Sequence, residues 1–300
     1  MTTFSPTDAA LEGFRISREQ PRVLLIWSAV NLVVSLVMAV ALVSLFGPTL
    51  VELEAMGASG SNDPAEAMAT LEKLAPLYAL VLPIGLAMVA VMRAAVYRAV
   101  LRPSDSAYGY LRLGSDELRL VGLVLIYLVL AIGFIFALVL VAGLLAGGLA
   151  AALGAGFGAL FGALIGLAAV CFIIFVAVRL SLAGPMTFAE RRLRVFESWT
   201  LTRGHFWRLA GTYVLAVALA LVVALLAMVI YMALAAVAAG GDLSRVGQVF
   251  APDMSSLGAY FTLGMILYLL FSAAVSAVWN AVVYAPPAFA YRDLSGASES

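Results

Sequence analysis

Six long apolar runs, each almost free of charge, set the pattern of this chain. About 20 apolar residues suffice for a helix to cross the hydrocarbon core of a bilayer. Because a backbone in hydrocarbon must satisfy its own hydrogen bonds, each run predicts a transmembrane helix. The predicted fold class is therefore all-α, a polytopic membrane protein with six transmembrane helices: Val23–Phe46, Leu74–Leu101, Leu118–Ala146, Phe157–Leu182, Leu209–Ala238 and Leu257–Ala285.

Composition excludes an ordinary soluble protein. The chain is 64% hydrophobic and 11% charged, with a mean hydropathy of +1.09, whereas soluble domains carry about 25% charged residues. The segments between spans are too short for a separate domain of about 100 residues. We therefore expect a single six-helix membrane domain over residues 1–292, followed by a short disordered tail, 293–300. The net charge of zero predicts no general attraction to nucleic acid.

The basic residues predict an orientation. Of the 17 Lys and Arg residues, only Lys73 and Arg245 fall on one side of the predicted spans. Because basic residues are retained in the cytoplasm, both termini are expected there. Lys73 is the only lysine, and the bias toward Arg, Ala and Gly suggests a bacterial genome of high GC content. The expected location is the bacterial cytoplasmic (inner) membrane.

A coarse internal repeat divides the chain into three units, about 5–103, 104–185 and 186–290. Each unit has a polar-amphipathic lead-in, a span, an outer loop and a returning span. In every lead-in an aromatic residue precedes an arginine at the entrance of the next span: Phe14 and Arg22, Tyr110 and Arg119, Trp199 and Arg208. The pattern predicts three amphipathic-helix-plus-hairpin repeats.

The lead-ins have helix-start signals. The segment 187–190, Thr-Phe-Ala-Glu, has the pattern of a capping box. It predicts a helix with Leu193, Phe196 and Trp199 on one face that ends at Gly204. Ser5 and Pro6 predict a similar helix that stops before Pro21. Such helices lie in the membrane interface, with aromatic rings at the acyl boundary and arginines among the lipid phosphates.

The segment 187–190, followed by Phe-Glu-Ser-Trp-Thr-Leu-Thr-Arg-Gly-His-Phe-Trp-Arg-Leu at 196–209, resembles the lead-in of the glycerophosphoryl diester phosphodiesterase membrane domain family. It is also similar to the related YciC-type bacterial inner-membrane proteins. The resemblance implies an inner-membrane helical bundle over most of the chain. A cytosolic phosphodiesterase barrel can follow the membrane domain in that family. Here the chain ends soon after Tyr291, so no barrel is expected, and neither the activity nor its catalytic residues carry over.

Small residues recur at helical spacing in the fourth span, at Gly154, Gly158, Gly162 and Gly166. Such residues let helix backbones approach closely in lipid. One interpretation is an oligomer interface or a pore-lining face, and the other is tight packing within the hairpin of the third and fourth spans. The short uncharged outer loop expected at 147–156 favours packing within the hairpin.

Polar residues occur at matching places in the three returning spans, at Arg93, Arg179 and Asn280. Such residues are costly in hydrocarbon. One interpretation is a polar pocket at the inner leaflet that holds a lipid phosphate or a small anion. The other is that the arginines extend toward the interface and cap the lead-in helices.

The leading functional hypothesis is a non-catalytic module that binds anionic lipid headgroups, or a membrane or cytosolic protein partner, through its basic cytoplasmic face. The candidate residues are Arg93, Arg179, Asn280, Arg191, Arg192, Arg194, Arg203 and Arg208. The alternative is a small-solute transporter or channel, for which Arg93 and the Pro83–Gly85 segment come closest to the required features.

A membrane enzyme is less favoured, because the candidates for an acid or a base are scattered loop carboxylates and His205. No catalytic residue, cofactor or metal site is predicted, since the sequence has no Cys/His/Asp/Glu cluster. The ligand, the partner and the oligomeric state stay open.

Overall fold

The computed structural model describes residues 4–57, 64–242, 246 and 253–296. All regular structure within this part of the chain is helical. The sequence also predicts outer loops over 47–73 and 240–256. In the first of these, helix continues to Gly57 and begins again at Pro64, so the described residues there are helical and do not form the expected loop. Residues 58–63, Arg245 with most of 243–252, and 297–300 of the expected tail lie outside the described residues.

Ten α-helices and one 3₁₀ turn follow each other along the described chain. They are α1 Pro6–Glu19, α2 Pro21–Gly57, α3 Pro64–Leu101, the 3₁₀ turn Ala107–Tyr110, α4 Ser115–Leu153, α5 Ala155–Leu180, α6 Ala183–Glu190, α7 Glu197–Leu201, α8 Phe206–Ala238, α9 Leu257–Tyr260 and α10 Leu263–Leu294.

Six helical segments are long and apolar enough to cross a membrane, which makes this a multi-pass membrane protein. They correspond to α2, α3, α4, α5 with α6, α8 and α10. Many large apolar side chains on these helices are exposed, as expected where lipid tails replace water. The prediction of an all-α polytopic fold is confirmed.

The chain forms two compact units. Unit A comprises the described residues of Met1–Ala9, Leu113–Val214 and Pro286–Ser300. Unit B comprises those of Ala10–Arg112 and Leu215–Ala285.

The hairpin of α4 and α5 is the main element of unit A, and its turn differs from the prediction. Instead of an outer loop over 147–156, α4 continues to Leu153 and α5 begins at Ala155. Gly154 alone joins them, with φ at +100°. Glycine adopts this conformation without a Cβ penalty, and the alanines before it are strong helix formers. One residue therefore replaces the expected loop.

The capping-box prediction at 187–190 is wrong. These residues end α6 instead of opening a helix. Arg191 stops α6 in the left-handed conformation, with φ at 55°. The hydroxyl of buried Thr187 accepts a hydrogen bond from the backbone N–H of Arg194 at 3.0 Å, which folds the chain back on the helix end. Regular helix resumes only in the short α7, so Leu193, Phe196 and Trp199 do not share a helical face.

The C-terminal part of α3 provides much of the core of unit B, where Met92, Val96 and Val100 are buried. The 3₁₀ turn packs beside it with positive φ at Tyr108, Gly109 and Tyr110. Two hydrogen bonds hold this unusual backbone in place. Trp27 Nε1 donates to Gly109 O at 2.7 Å, and Arg98 Nη1 donates to Tyr110 O at 2.8 Å.

The sixth span begins later than predicted, at Leu263 instead of Leu257. Ser256 and Thr262 explain the difference, because each caps its own helix. Ser256 Oγ accepts from Ala259 N at 3.2 Å and starts α9. Thr262 Oγ1 accepts from Met265 N at 3.2 Å and starts α10.

Candidate functional site

The segment between Thr187 in α6 and Arg208 in α8 contains most of the predicted basic candidates, and we call it the arginine corner. Arg191, Arg192, Arg203 and Arg208 are exposed. None of the four makes an ion pair or a side-chain hydrogen bond within the described chain. Their charges are therefore available to an external anion.

Arg194 differs from these four arginines. Its guanidinium pairs with Glu190 at 2.9 Å and with Glu197 at 3.1 Å. The hydrogen bond that Arg194 donates to Glu197, and the charge of Glu190, raise the pKa of Arg194. The pKa of Glu197 is lowered, first by its own backbone N–H and then by Arg194. Arg194 thus holds the corner in place, and its guanidinium is already paired with two carboxylates, so it interacts less strongly with an external anion.

Large apolar side chains lie between the arginines in sequence. Leu193, Phe196, Trp199 and Trp207 are 48%, 62%, 39% and 83% exposed. Aromatic rings of this kind favour the level of the lipid headgroups, where one face meets acyl chains and the other meets water. Exposed rings and unpaired guanidinium groups together are typical of a segment that lies at a membrane interface.

Arg179, in the last turn of α5, is enclosed by aromatic rings. Its Cζ lies 5.3 Å from the ring centre of Phe175, 5.6 Å from Trp199 and 5.7 Å from Phe206. Phe175 also contacts both other rings, at centroid distances of 5.5 and 5.3 Å. Cation–π attraction of this type stabilises a cation and suits the weakly hydrated guanidinium.

The backbone of Arg179 connects α5 to α7. Its carbonyl oxygen accepts a hydrogen bond from Ser198 Oγ at 2.8 Å and a longer one from Thr202 Oγ1 at 3.4 Å. Both hydroxyl residues are buried. The last carbonyls of a helix have no partner within it. These two hydroxyls therefore cap α5 and hold α7 at its C-terminal end.

The other two polar candidates lie in unit B. The guanidinium of half-buried Arg93 stacks on the ring of Tyr284, with Cζ 4.7 Å from the ring centre. Asn280 is half-buried in α10, one turn before Tyr284. Arg179 belongs to unit A. A single pocket containing Arg93, Arg179 and Asn280 stays a prediction.

The four glycines of the predicted stripe have different environments. A Cβ added at Gly158 would lie 2.5 Å from Ala150 Cβ and 2.7 Å from Ala146 O, so α4 and α5 touch closely there. A Cβ at Gly162 would reach Ala146 Cβ at 3.7 Å, an ordinary contact. At Gly166 nothing lies within 4 Å, and Gly154 forms the turn.

Sequence reasoning missed three features. Gly13 allows α1 to cross α10, since a Cβ there would lie 2.5 Å from Ala281 O and from Val282 Cα. Phe175 and Thr202 have no sequence signal that marks them as neighbours of Arg179. The helix-cap preference of Ser256 and Thr262 is readable in sequence and could have placed the start of α10.

Within the described residues no group of three or more His, Cys, Asp and Glu side chains could hold a metal ion. His205 precedes α8, and its backbone N–H donates to Thr202 O at 3.2 Å. Helix α3 continues through Pro83 and Gly85 without a break.

Searches against family models, curated proteins and solved structures find no match to this chain. The fold and the arginine corner are therefore the basis for any statement about function.

Proposed function

We propose that this protein is a non-catalytic module of the bacterial cytoplasmic membrane that binds anionic lipid headgroups through its arginine corner. The termini and the corner face the cytoplasm in this proposal, as the asymmetry of basic residues predicts. The proposal includes the resemblance to the phosphodiesterase membrane domain family. In that resemblance this chain corresponds to the membrane domain alone, for which no catalytic activity is expected.

The observation that carries the proposal is the contrast between paired and unpaired arginines. Arg191, Arg192, Arg203 and Arg208 are exposed and have no acidic partner among the described residues. Arg194 in the same corner, and Arg112 elsewhere, are neutralised by carboxylates. Cytoplasmic leaflets carry negative lipids, and each basic residue near such a surface contributes about 1 kcal/mol of attraction.

The nearby aromatic residues support a lipid surface over a soluble anion. Trp207 and Phe196 expose much of their rings beside the unpaired arginines in sequence. A soluble anion would gain nothing from these rings, whereas a lipid supplies both a phosphate and an acyl boundary. The ligand with matching chemistry is therefore an anionic phospholipid.

Two double variants test the proposal, Arg191→Gln/Arg192→Gln and Arg203→Gln/Arg208→Gln. In mixed micelles, the relative affinity for phosphatidylglycerol over phosphatidylcholine would be measured by lipid exchange. We expect each double variant to lose about 30-fold of this preference, since two cations contribute about 2 kcal/mol together.

The matched control is Arg15→Gln/Arg112→Gln, which also removes two positive charges, both outside the corner. These guanidinium groups pair with Glu12 at 2.6 Å and with Asp105 at 2.8 Å. The control should therefore keep most of the preference. Equal effects in all three variants would show a response to net charge alone, and no effect in any of them would contradict lipid binding and direct attention to a protein partner.

A further inference from the structure

Arg179 is a cation without an anion in the described part of unit A. Its polar contact there is with a hydroxyl, from Nη1 to Thr202 Oγ1 at 3.5 Å. Three aromatic rings surround the guanidinium, and none of them carries a negative charge. The arginines with carboxylate partners, such as Arg112 and Arg194, show that the protein elsewhere neutralises this group.

The donors of Arg179 are only partly used. A guanidinium has five N–H donors. Nε is buried and has no hydrogen-bond acceptor among the described residues. Nη2 also lacks an acceptor there, and it is not fully buried. Nε is therefore enclosed, whereas Nη2 keeps some access to the surroundings of the protein.

The position of Arg179 limits the kind of anion that can bind. It occupies the last turn of α5, and the fourth apolar segment ends with the short helix α6 that follows. In the proposed orientation this end of the segment meets the lipid phosphates, and guanidinium groups match phosphate oxygens well in geometry and charge. Trp199, which stacks on the guanidinium, is 39% exposed and offers an apolar surface beside it.

We propose that Arg179, held by Phe175, Trp199 and Phe206, binds the phosphate group of a single phospholipid through its outer N–H groups. This inference rests on the proposed function and adds one defined lipid site to the general attraction of the arginine corner. The rings fix the plane of the guanidinium before the lipid arrives, so less conformational freedom is lost on binding. Thr202 accepts from Nη1 at 3.5 Å, which leaves Nη2 and its N–H donors for the lipid phosphate.

Native mass spectrometry of the full chain, released gently from membranes containing phosphatidylglycerol, tests the site. We expect one tightly retained phospholipid on the wild-type protein. Arg179→Gln should lose it. Arg179→Lys should lose most of it as well, because a lysine keeps the charge but loses the planar stacking and the forked donors. Thermal unfolding of each variant reports whether the protein is still folded, and the lysine variant keeps the test valid if the glutamine variant is unstable.

Arg292 provides a matched control in the same unit. Its guanidinium also stacks on a ring, 4.5 Å from the centre of Phe289, but it lies 3.8 Å from the carboxylate of Asp293. Arg292→Lys should keep the bound lipid. Loss of the lipid in this control as well would contradict a defined site at Arg179.

The outcomes separate this inference from the general function. A lipid retained equally by Arg179→Gln and Arg179→Lys would overturn the site while leaving the preference of the corner intact. An adduct with the mass of inorganic phosphate, in place of a lipid, would overturn the assignment to phospholipid. Loss of the preference for phosphatidylglycerol only in the corner variants, with a lipid lost only in the Arg179 variants, would support both proposals independently.

Discussion

Arginine residues occur in this protein in three chemical settings. Arg112 and Arg194 pair with carboxylates. Arg93 and Arg179 stack on aromatic rings. The exposed arginines of the corner, such as Arg203, have no acidic partner within the described residues. The same residue type therefore forms surface ion pairs, stacks on aromatic rings or stays without an acidic partner, and a count of charges does not separate these settings.

Gly158 allows a single-residue test of the packing in unit A. We expect Gly158→Leu to destabilise the protein by about 1–3 kcal/mol, because an added side chain must displace the backbone or the methyl groups of α4. Its Cβ would lie 2.5 Å from Ala150 Cβ. The measurement is the free energy of unfolding by denaturant in detergent micelles.

Gly166→Leu is the control for this substitution, since nothing lies within 4 Å of a Cβ at that position. It should leave the unfolding free energy nearly unchanged. If both variants lose the same stability, the close contact of α4 with α5 at Gly158 does not exist in the membrane protein.

At the scale of secondary-structure elements, the decisive feature is the break between α6 and α7. An unbroken amphipathic helix would place Leu193, Phe196 and Trp199 on one face. Instead, the left-handed Arg191 and the bond from Arg194 N to Thr187 Oγ1 reverse the chain. The short α7 can then bring Ser198 and Thr202 to the end of α5. The break is thus what builds the surroundings of Arg179.

The structural order of residues 191–204 should depend on pH through the carboxylate of Glu197. Its pKa is lowered by its own backbone N–H and by Arg194, so the ionised form stabilises the folded corner. Such a contribution is fully present above the pKa of the unfolded chain. It is lost as the pH falls through the lower pKa of the folded corner. Hydrogen exchange at residues 191–204 should therefore become faster relative to other helix ends in acid.

The variant Glu197→Gln provides the control for pH, because it cannot ionise. Its exchange in the corner should already be faster at neutral pH, and the acid-dependent increase should be much smaller. An unchanged acid response in this variant would mean that another group controls the order of the corner.

At the scale of the whole molecule, the distribution of charge along the sequence predicts a membrane orientation. All arginines of the corner fall on the side that holds 15 of the 17 basic residues. The lipid proposals need that side to face the cytoplasm, because the anionic leaflet lies there. The lipid proposals therefore depend on the membrane orientation that the basic residues predict.

Cysteine labelling in intact cells would measure this orientation. In a Cys171→Ala background, which removes the only cysteine, Arg203→Cys and Asp242→Cys place one thiol at an exposed position on each predicted side. We expect a membrane-impermeant maleimide to label Asp242→Cys in intact cells and Arg203→Cys only after lysis. The reverse result would place the corner outside the cytoplasm and contradict the lipid proposals.

Hydropathy alone was enough to determine the fold class and the number of spans. Apolar transfer energy adds along a segment and depends little on neighbours, so the apolar parts of α2, α3 and α8 follow from their sequences. Helices α2 and α3 nevertheless extend beyond the predicted spans, to Gly57 and from Pro64. Helix ends were less accurate where a single residue decides them, as Gly154 does at the hairpin turn and Thr262 does at the start of α10.

The tertiary structure decided which arginines have an internal partner and which are available to an external anion. Whether an arginine meets a carboxylate, a ring or water depends on side chains that are distant in sequence or placed by a turn, and periodicity carries no information about them. Arg194 and Arg203 look alike in sequence, yet only Arg194 is neutralised. Likewise, the rings around Arg179 come from α5, α7 and α8, and only folding brings them to one cation.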